Sequence, residues 1–268
     1  MKTLVIDITK CNGCYNCQIA CKDEHVGNDW VPYARPQPET GQFWMKIQET
    51  ARGSIPKVKV TYEPRLCQHC DAAPCVASCR EKAIYKRDDG IVMVDPVKCK
   101  GQKNCLAACP YGAIYFNEDL KLAQKCTMCS HLLDSGGKEP RCVEACPTEA
   151  LKFGEEKELT DLIQKAEILK PESRTQPRVY YIGLPKRFIA GAVFDPKKDE
   201  CVEGALVTLT DSTGNSQTVK TDNFGDFWIE GLKVGTYSIK VEAKNFMPRI
   251  INNVNTEKDV NLGDIPLS

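Results

Sequence analysis

Cysteine decides what this chain can become: fifteen of its sixteen cysteines lie between Cys11 and Cys146, and only Cys201 lies beyond. Two chemistries concentrate cysteine in this way, a disulfide framework and a set of thiolate metal sites. Spacing separates them. Most neighbours stand two or three residues apart, and a shared metal collects such thiolates without the geometric demands of many short bridges. A bridged CxxC is strained and usually catalytic rather than structural. Zinc also takes CxxC pairs, but in fours and without the pattern described next.

The cysteines fall into four groups. Group one, Cys11-x2-Cys14-x2-Cys17-x3-Cys21, is the ferredoxin run, with Lys22 in place of the usual proline. Group two is Cys67-x2-Cys70-x4-Cys75-x3-Cys79, and group four is Cys126-x2-Cys129-x12-Cys142-x3-Cys146-Pro147, each a stretched form of that run. Group three reads Cys99-x5-Cys105-x3-Cys109-Pro110, with Gln102 where its second cysteine would stand. A repeat underlies them: Cys79, Cys109 and Cys146 are each followed four residues later by Ala83, Ala113 and Ala150, then by Ile84, Ile114 and Leu151. After Ile84, the stretch Tyr85 to Val94 predicts two short strands around Asp89-Gly90, which sets a cysteine run beside a small hairpin as in bacterial ferredoxins.

In two-cluster ferredoxins three cysteines of a run bind one cluster and the fourth crosses to the other, so runs work in pairs and four groups imply two ferredoxin-like folds. If the pairing is nested, Cys11, Cys14 and Cys17 share a [4Fe-4S] cluster with Cys146, and Cys126, Cys129 and Cys142 share one with Cys21. Cys67, Cys70 and Cys75 are then completed by Cys109. That makes three complete clusters. Cys79, Cys99 and Cys105 remain at a fourth site whose corner is Gln102. An amide is a poor iron ligand, so this site is expected to hold a [3Fe-4S] cluster, a cluster with a non-cysteine ligand, or nothing. The last is favoured, because Arg80 replaces the proline that follows Cys109 and Cys146.

The remaining composition narrows the role. With 36 basic and 36 acidic residues the chain has no electrostatic footprint for nucleic acid. Its first residues lack the apolar core of a secretory leader, and no apolar run approaches the ~20 residues of a membrane span, so a cytoplasmic protein with no direct membrane insertion is expected. His25, His69 and His131 lie near cysteine runs and can tune a cluster through hydrogen bonds, but a solvated or loop-packing role is the expectation. No catalytic triad, phosphate loop or paired carboxylate is present. The chain is expected to carry electrons and to leave bond chemistry to another protein.

Residues 1–154 are therefore read as a double ferredoxin-like domain and 155–184 as a helical and extended linker. In that linker Leu159, Leu162, Ile163 and Ala166 recur at helical spacing before Pro171, predicting one amphipathic helix over 155–170. Pro177 to Pro185 then reads as an edge strand or a linker able to dock on a partner. From 185 to 268 short β-rich runs separated by glycine and asparagine turns predict an immunoglobulin-like sandwich of about seven strands, giving an α+β protein with an all-β tail. Cys201 is expected to be a buried small apolar residue.

The motif Gly191-Ala192-Val193, the run Val202 to Leu209, Asn223-Phe224-Gly225-Asp226-Phe227 and Gly231-Leu232 through Tyr237 resemble carboxypeptidase regulatory-like and transthyretin-like modules. The four cysteine groups, the long gap between Cys129 and Cys142, and Pro177-Arg178-Val179-Tyr180-Tyr181 resemble the iron–sulfur subunits of the dimethyl sulfoxide reductase family of molybdopterin oxidoreductases, over about two-thirds of the chain. The resemblance implies nested pairing and a large catalytic partner subunit that alone holds bis-molybdopterin guanine dinucleotide with molybdenum or tungsten. It also implies a non-catalytic, electron-transferring role for this chain. In family members a cysteine missing from the third group recurs with a [3Fe-4S] cluster. Within the family, a short chain with an appended sandwich is most similar to the small subunits of transhydroxylases, enzymes of anaerobes that move a hydroxyl between phenols.

Overall fold

Leu4, Val5 and Ile6 form an apolar run in β1 (Lys2–Asp7), each at most 1 % exposed, as suits a strand covered on both faces. β1 is the middle of three strands. It pairs antiparallel with β8 (Leu151–Glu155), placing Leu4 against Phe153, and parallel with β9 (Val179–Ile182), placing Ile6 against Tyr181. The sheet thus joins the first residues to segments more than 140 residues away. Sequence patterns did not anticipate β1.

In this computed structural model all of Met1 to Ser268 is described, and the chain divides into two units, Met1–Glu49 with Thr61–Leu184, and Thr50–Val60 with Pro185–Ser268. In the first unit the cysteine runs sit on loops that open short helices: α1 (Asn16–His25), α2 (Pro74–Ser78), α3 (Asn104–Ala108), α4 (Ser130–Asp134) and α5 (Arg141–Glu144). Four of these span only four or five residues, too few to persist in water without tertiary support. Two hairpins accompany them. β4 (Ile84–Lys86) pairs with β5 (Val92–Val94) around Gly90, whose φ of 92° suits a residue without a Cβ, and β6 (Tyr115–Asn117) pairs with β7 (Leu122–Gln124). A third hairpin, of β2 (Lys46–Ser54) and β3 (Lys57–Arg65), was not foreseen, and its outer residues 50–60 group with the second unit.

The predicted helix over 155–170 is absent. A 3-10 turn at Glu156–Glu158, closed by a capping box between Glu155 and Glu158, leads into a single turn, α6 (Thr160–Ile163). No member of the expected apolar stripe is buried there. Glu167 instead exchanges two backbone hydrogen bonds with Tyr181, at 2.7 and 2.8 Å, extending the edge beyond β9. Pairing with an existing strand satisfies these backbone groups, and a helix buried on no side gains little. Tyr181 and Val179 are fully buried, so β9 leaves Tyr180 and Ile182 as its half-buried face.

The second unit is a two-sheet β module. β10 (Arg187–Asp195) pairs with β11 (Glu200–Cys201), with β14 (Asp226–Leu232) and, in parallel, with β17 (Val260–Pro266). The other sheet has the order β13 (Ser216–Lys220), β12 (Leu206–Asp211), β15 (Thr236–Glu242), β16 (Arg249–Asn255). Alternation fills the core: Val207 lies opposite Val241 and Leu209 opposite Ile239, packed with Ile189, Val193, Phe227 and Ile229. Eight strands stand where about seven were expected. Cys201 is exposed on the two-residue edge strand β11, not buried as expected. Within this unit Arg52 from the hairpin tip pairs with Asp259 at 3.2 Å, and Lys57 pairs with Asp226. No helix of the chain is long and apolar enough to cross a membrane.

Candidate metal centres

The loop carrying group one is built by backbone as much as by thiols. Gly13 has φ of 71° and Tyr15 is left-handed at φ 62°, ψ 2°, after which α1 begins and delivers Cys17. Group three repeats these steps: Gly101 has φ of 69° and Lys103 lies at φ 61°, ψ −1°, before α3 delivers Cys105. Asn12-Gly13-Cys14-Tyr15-Asn16 thus superimposes in sequence on Lys100-Gly101-Gln102-Lys103-Asn104, a correspondence readable from the asparagine and glycine alone. A Cβ on Gly101 would meet the Lys121 carbonyl oxygen at 2.6 Å, so the loop leaves no room for a side chain there. After Cys79, Cys109 and Cys146 the third residue is again left-handed, at Lys82, Gly112 and Glu149, and it turns the chain toward the alanine and apolar residue of the repeat, whereas Glu24, third after Cys21, continues α1.

The thiols sort into neighbourhoods by the electrostatic influence each exerts. Burial raises Cys11, and Cys146 and Cys14 add to that rise; Cys17, pushed up to about 12 chiefly by burial, feels Cys11, Cys146 and Cys14. Burial also dominates at Cys21 and Cys142; Cys126, Cys129 and Cys17 act on both, and Cys21 acts on Cys142. Cys75, at about 12, and Cys70, at about 11, are raised mainly by burial and then by Cys67 and Cys109. Cys105, at about 11, is raised by burial, Cys99 and Cys79. These influences link Cys11, Cys14, Cys17 and Cys146; Cys21, Cys126, Cys129 and Cys142; Cys67, Cys70, Cys75 and Cys109; and Cys79, Cys99 and Cys105. Neighbourhoods also touch: Cys142 feels Cys17, and Cys126, at about 12, feels Cys67.

Free thiols shifted so high would be inert, and as thiolates they would repel one another, so a core of positive charge is what this donor set fits. No three His, Cys, Asp or Glu side chains converge closely enough for a single ion. A cubane, with each thiolate on a different iron, holds sulfurs farther apart. Donors to sulfur complete the fit: Met128 N–H to Cys126 Sγ at 3.4 Å, Ala123 N–H to Cys99 Sγ at 3.4 Å, and Ala150 N–H to Cys146 Sγ at 3.3 Å. At Cys146 burial is outweighed by the hydrogen bonds from Thr148, Ala150 and Leu151, and the thiol falls below its ordinary value. At the three-thiol neighbourhood Gln102 Nε2 donates to Glu81 Oε1 at 2.9 Å, so the residues there supply three thiolate corners and no fourth.

The surroundings hold residues that sequence reasoning passed over. All three histidines are buried rather than solvated. His131 lies 2.8 Å from Glu24 Oε1 and stacks on Trp30 at 4.3 Å, while Arg141 Nε donates to Glu24 Oε2 at 2.8 Å, so one carboxylate ties α1 to α4 and α5. His25 packs on Trp44 and is lowered to about 3, first by burial and then by His131, which keeps its ring neutral. His69 Nδ1 accepts the Val92 N–H at 3.1 Å, and burial, then Lys125 and Lys86, hold its ring well below the ordinary histidine range. Arg178 donates to both oxygens of Asp71 at 2.6 Å and to Glu156 at 3.0 Å, which gives the Pro177-Arg178-Val179-Tyr180-Tyr181 motif a structural role within the first unit.

Residues 58–156 match the 4Fe-4S dicluster domain, and residues 189–268 match the carboxypeptidase regulatory-like domain. The chain is 38 % identical to the pyrogallol hydroxytransferase small subunit of Pelobacter acidigallici, over 98 % of each chain. It is 36 % identical to a tetrathionate reductase subunit of Salmonella typhimurium, over 69 % of this chain and 74 % of that one. It is 34 % identical to the arsenate respiratory reductase iron–sulfur subunit ArrB of a Shewanella species, over 67 % of this chain and 94 % of that one.

Proposed function

The chain belongs to the iron–sulfur subunits of the dimethyl sulfoxide reductase family of molybdopterin oxidoreductases, and from that premise we propose that it is the small subunit of a cytoplasmic transhydroxylase moving a hydroxyl between pyrogallol and phloroglucinol. The observation that carries this reading is the extent of similarity to the Pelobacter protein, which runs through the β module as well as the cysteine region. The tetrathionate and arsenate reductase relatives match about two-thirds of the chain. Pyrogallol and phloroglucinol are isomers, so their interconversion needs no external electron acceptor, and a wire that stops short would serve it.

In this reading residues 1–154 form two ferredoxin-like folds with three [4Fe-4S] clusters. Cys11, Cys14, Cys17 and Cys146 hold one, Cys67, Cys70, Cys75 and Cys109 a second, and Cys126, Cys129, Cys142 and Cys21 the third. When bound, each such cluster accepts and returns a single electron. The chain's residues bury most of these thiols, leaving Cys14 exposed, supply N–H donors to Cys126 and Cys146, and fix an order in which Cys17 acts on Cys142 and Cys67 on Cys126. Cys79, Cys99 and Cys105 hold no fourth cubane. Residues 155–184 close the sheet and present Tyr180 and Ile182 to a large partner subunit that carries the bis-molybdopterin guanine dinucleotide; residues 185–268 form the appended sandwich.

The second reading is an electron wire for a reductase, favoured by the 36 % identity to the tetrathionate reductase relative. Purification of the chain with its partner separates the two. Conversion of pyrogallol to phloroglucinol without added electron donor or acceptor is expected. Turnover only of an oxyanion or sulfoxide, dependent on an artificial donor, would replace the first reading with the second. Clusters that no substrate or partner couple reduces would instead give them a bracing role only.

A further inference from the structure

Lys125 is among the largest fully buried side chains of the protein, at 2 % exposure, and it immediately precedes a thiol of the Cys21, Cys126, Cys129, Cys142 neighbourhood. Its Nζ donates to two backbone carbonyls, that of Val92 in β5 and that of Cys126 at 3.0 Å. Both partners are neutral, and no carboxylate of the chain pairs with it. A buried ammonium with only carbonyl partners is costly to keep unless negative charge stands close by. The charge available is sulfur: Lys125 acts on Cys126 and also on Cys75, which belongs to the Cys67, Cys70, Cys75, Cys109 neighbourhood. These neighbourhoods adjoin through Cys67 and Cys126.

We propose that Lys125 places a fixed positive charge between the two cluster sites completed by Cys109 and by Cys21, and thereby raises the reduction potential of both. The proposal rests on the reading of these thiols as cluster ligands. One-electron reduction adds a negative charge to a site already ringed by thiolates, and net charge and hydrogen bonding around the sulfurs are what set such potentials. An ammonium held in a low-dielectric interior favours the reduced form, and its anchorage on Val92 keeps it there in both states. Lys125 is not among the main groups acting on Cys11, Cys17 or Cys146, thiols of the other site. Lys125 is accordingly a positioning residue that acts on potential and touches no substrate.

The test is a dithionite titration of the full-length chain in its purified complex, followed by EPR, with iron and sulfide measured alongside. Lys125→Met removes the charge at similar length, Lys125→Gln removes it while retaining a donor, and Lys125→Arg retains it. In the neutral variants two of the midpoints are expected to fall, each by at least a tenfold change in the oxidised-to-reduced ratio at fixed potential, about 59 mV for one electron. The third midpoint stays in place, and Lys125→Arg tracks the wild type. Wild-type midpoints in a neutral variant with full iron would overturn the proposal, as would equal shifts in the arginine and neutral variants. Loss of iron from both neutral variants would make Lys125 a structural pin and overturn it too. A wild-type chain without reducible clusters would overturn the ligand reading itself, and this proposal with it.

Discussion

Tyr15 and Lys103 adopt the same left-handed backbone, at φ 62° and 61°, so the residues just before them, Cys14 and Gln102, occupy equivalent places in two copies of one loop. The fourth neighbourhood therefore keeps the loop of group one, with Gln102 where that loop carries Cys14. Gln102→Cys restores the thiol on an existing frame. After reconstitution the variant is expected to carry about four more irons per chain than the wild type, about 16 against 12. Iron and acid-labile sulfide analysis checks this; an unchanged count would mean that the frame alone does not make the site.

Removing iron should unfold one unit and spare the other. Buried cysteines are core residues of the first unit, among them Cys17, Cys21, Cys67, Cys126 and Cys142, and its helices are too short to stand alone. Hydrogen exchange after chelation under oxidising conditions is expected to lose protection across α1 to α5. Phe227 to Ile229 should remain protected.

Arg178 makes two 2.6 Å bonds to Asp71 and is only 7 % exposed. Arg178→Ala takes both guanidinium bonds from Asp71 and leaves that carboxylate with Lys86 alone, and is expected to cost about 1–3 kcal/mol. Arg178→Lys recovers part of that loss, because an ammonium cannot reproduce the bidentate geometry. Denaturant midpoints followed by cluster absorbance measure both.

In the β module Phe227 is 1 % exposed between the sheets. Phe227→Ala should destabilise that module by about 3–5 kcal/mol, read from denaturant unfolding of its strands. The EPR spectrum of the clusters should be unchanged.

Asp211 turns the chain between β12 and β13, where hydrogen bonds from Thr213 and Asn215 lower its carboxyl to about 2. Its folded value lies below the unfolded one of about 3.9. The stabilisation is therefore present above that unfolded value and is lost as pH falls through about 2. Carbon-13 titration of the Asp211 carboxyl should return the low midpoint, and Thr213→Ala should raise it.

The parts of the protein written in short-range patterns are legible in the amino-acid sequence itself. Cysteine spacing and the alternation of Val207, Leu209, Ile239 and Val241 carry their own geometry, because ligand runs and half-buried strands are local devices. What escapes such reading depends on distant partners. The apolar stripe from Leu159 to Ala166 has helical period, yet Glu167 finds Tyr181 and pairs as strand. Nothing in the local sequence marks Lys125, whose burial depends on the distant Val92 carbonyl as well as that of Cys126. Cys201 stands among Lys198, Asp199, Glu200 and Glu203, charges that fit the exposed two-residue edge strand better than the buried position expected of a lone cysteine.

The sheet described first sets a timetable for biosynthesis. β1 leaves the ribosome almost at once, yet its partners are residues 151–155 and 179–182, and the thiols of Cys11, Cys14 and Cys17 wait for Cys146. At about 5–20 residues per second, the opening segment spends on the order of ten seconds or more without its mates. That set of thiols is complete only once Cys146 has been made, a little past the middle of the 268-residue chain, so the earliest cysteines made are among the last to gain their full set of neighbours.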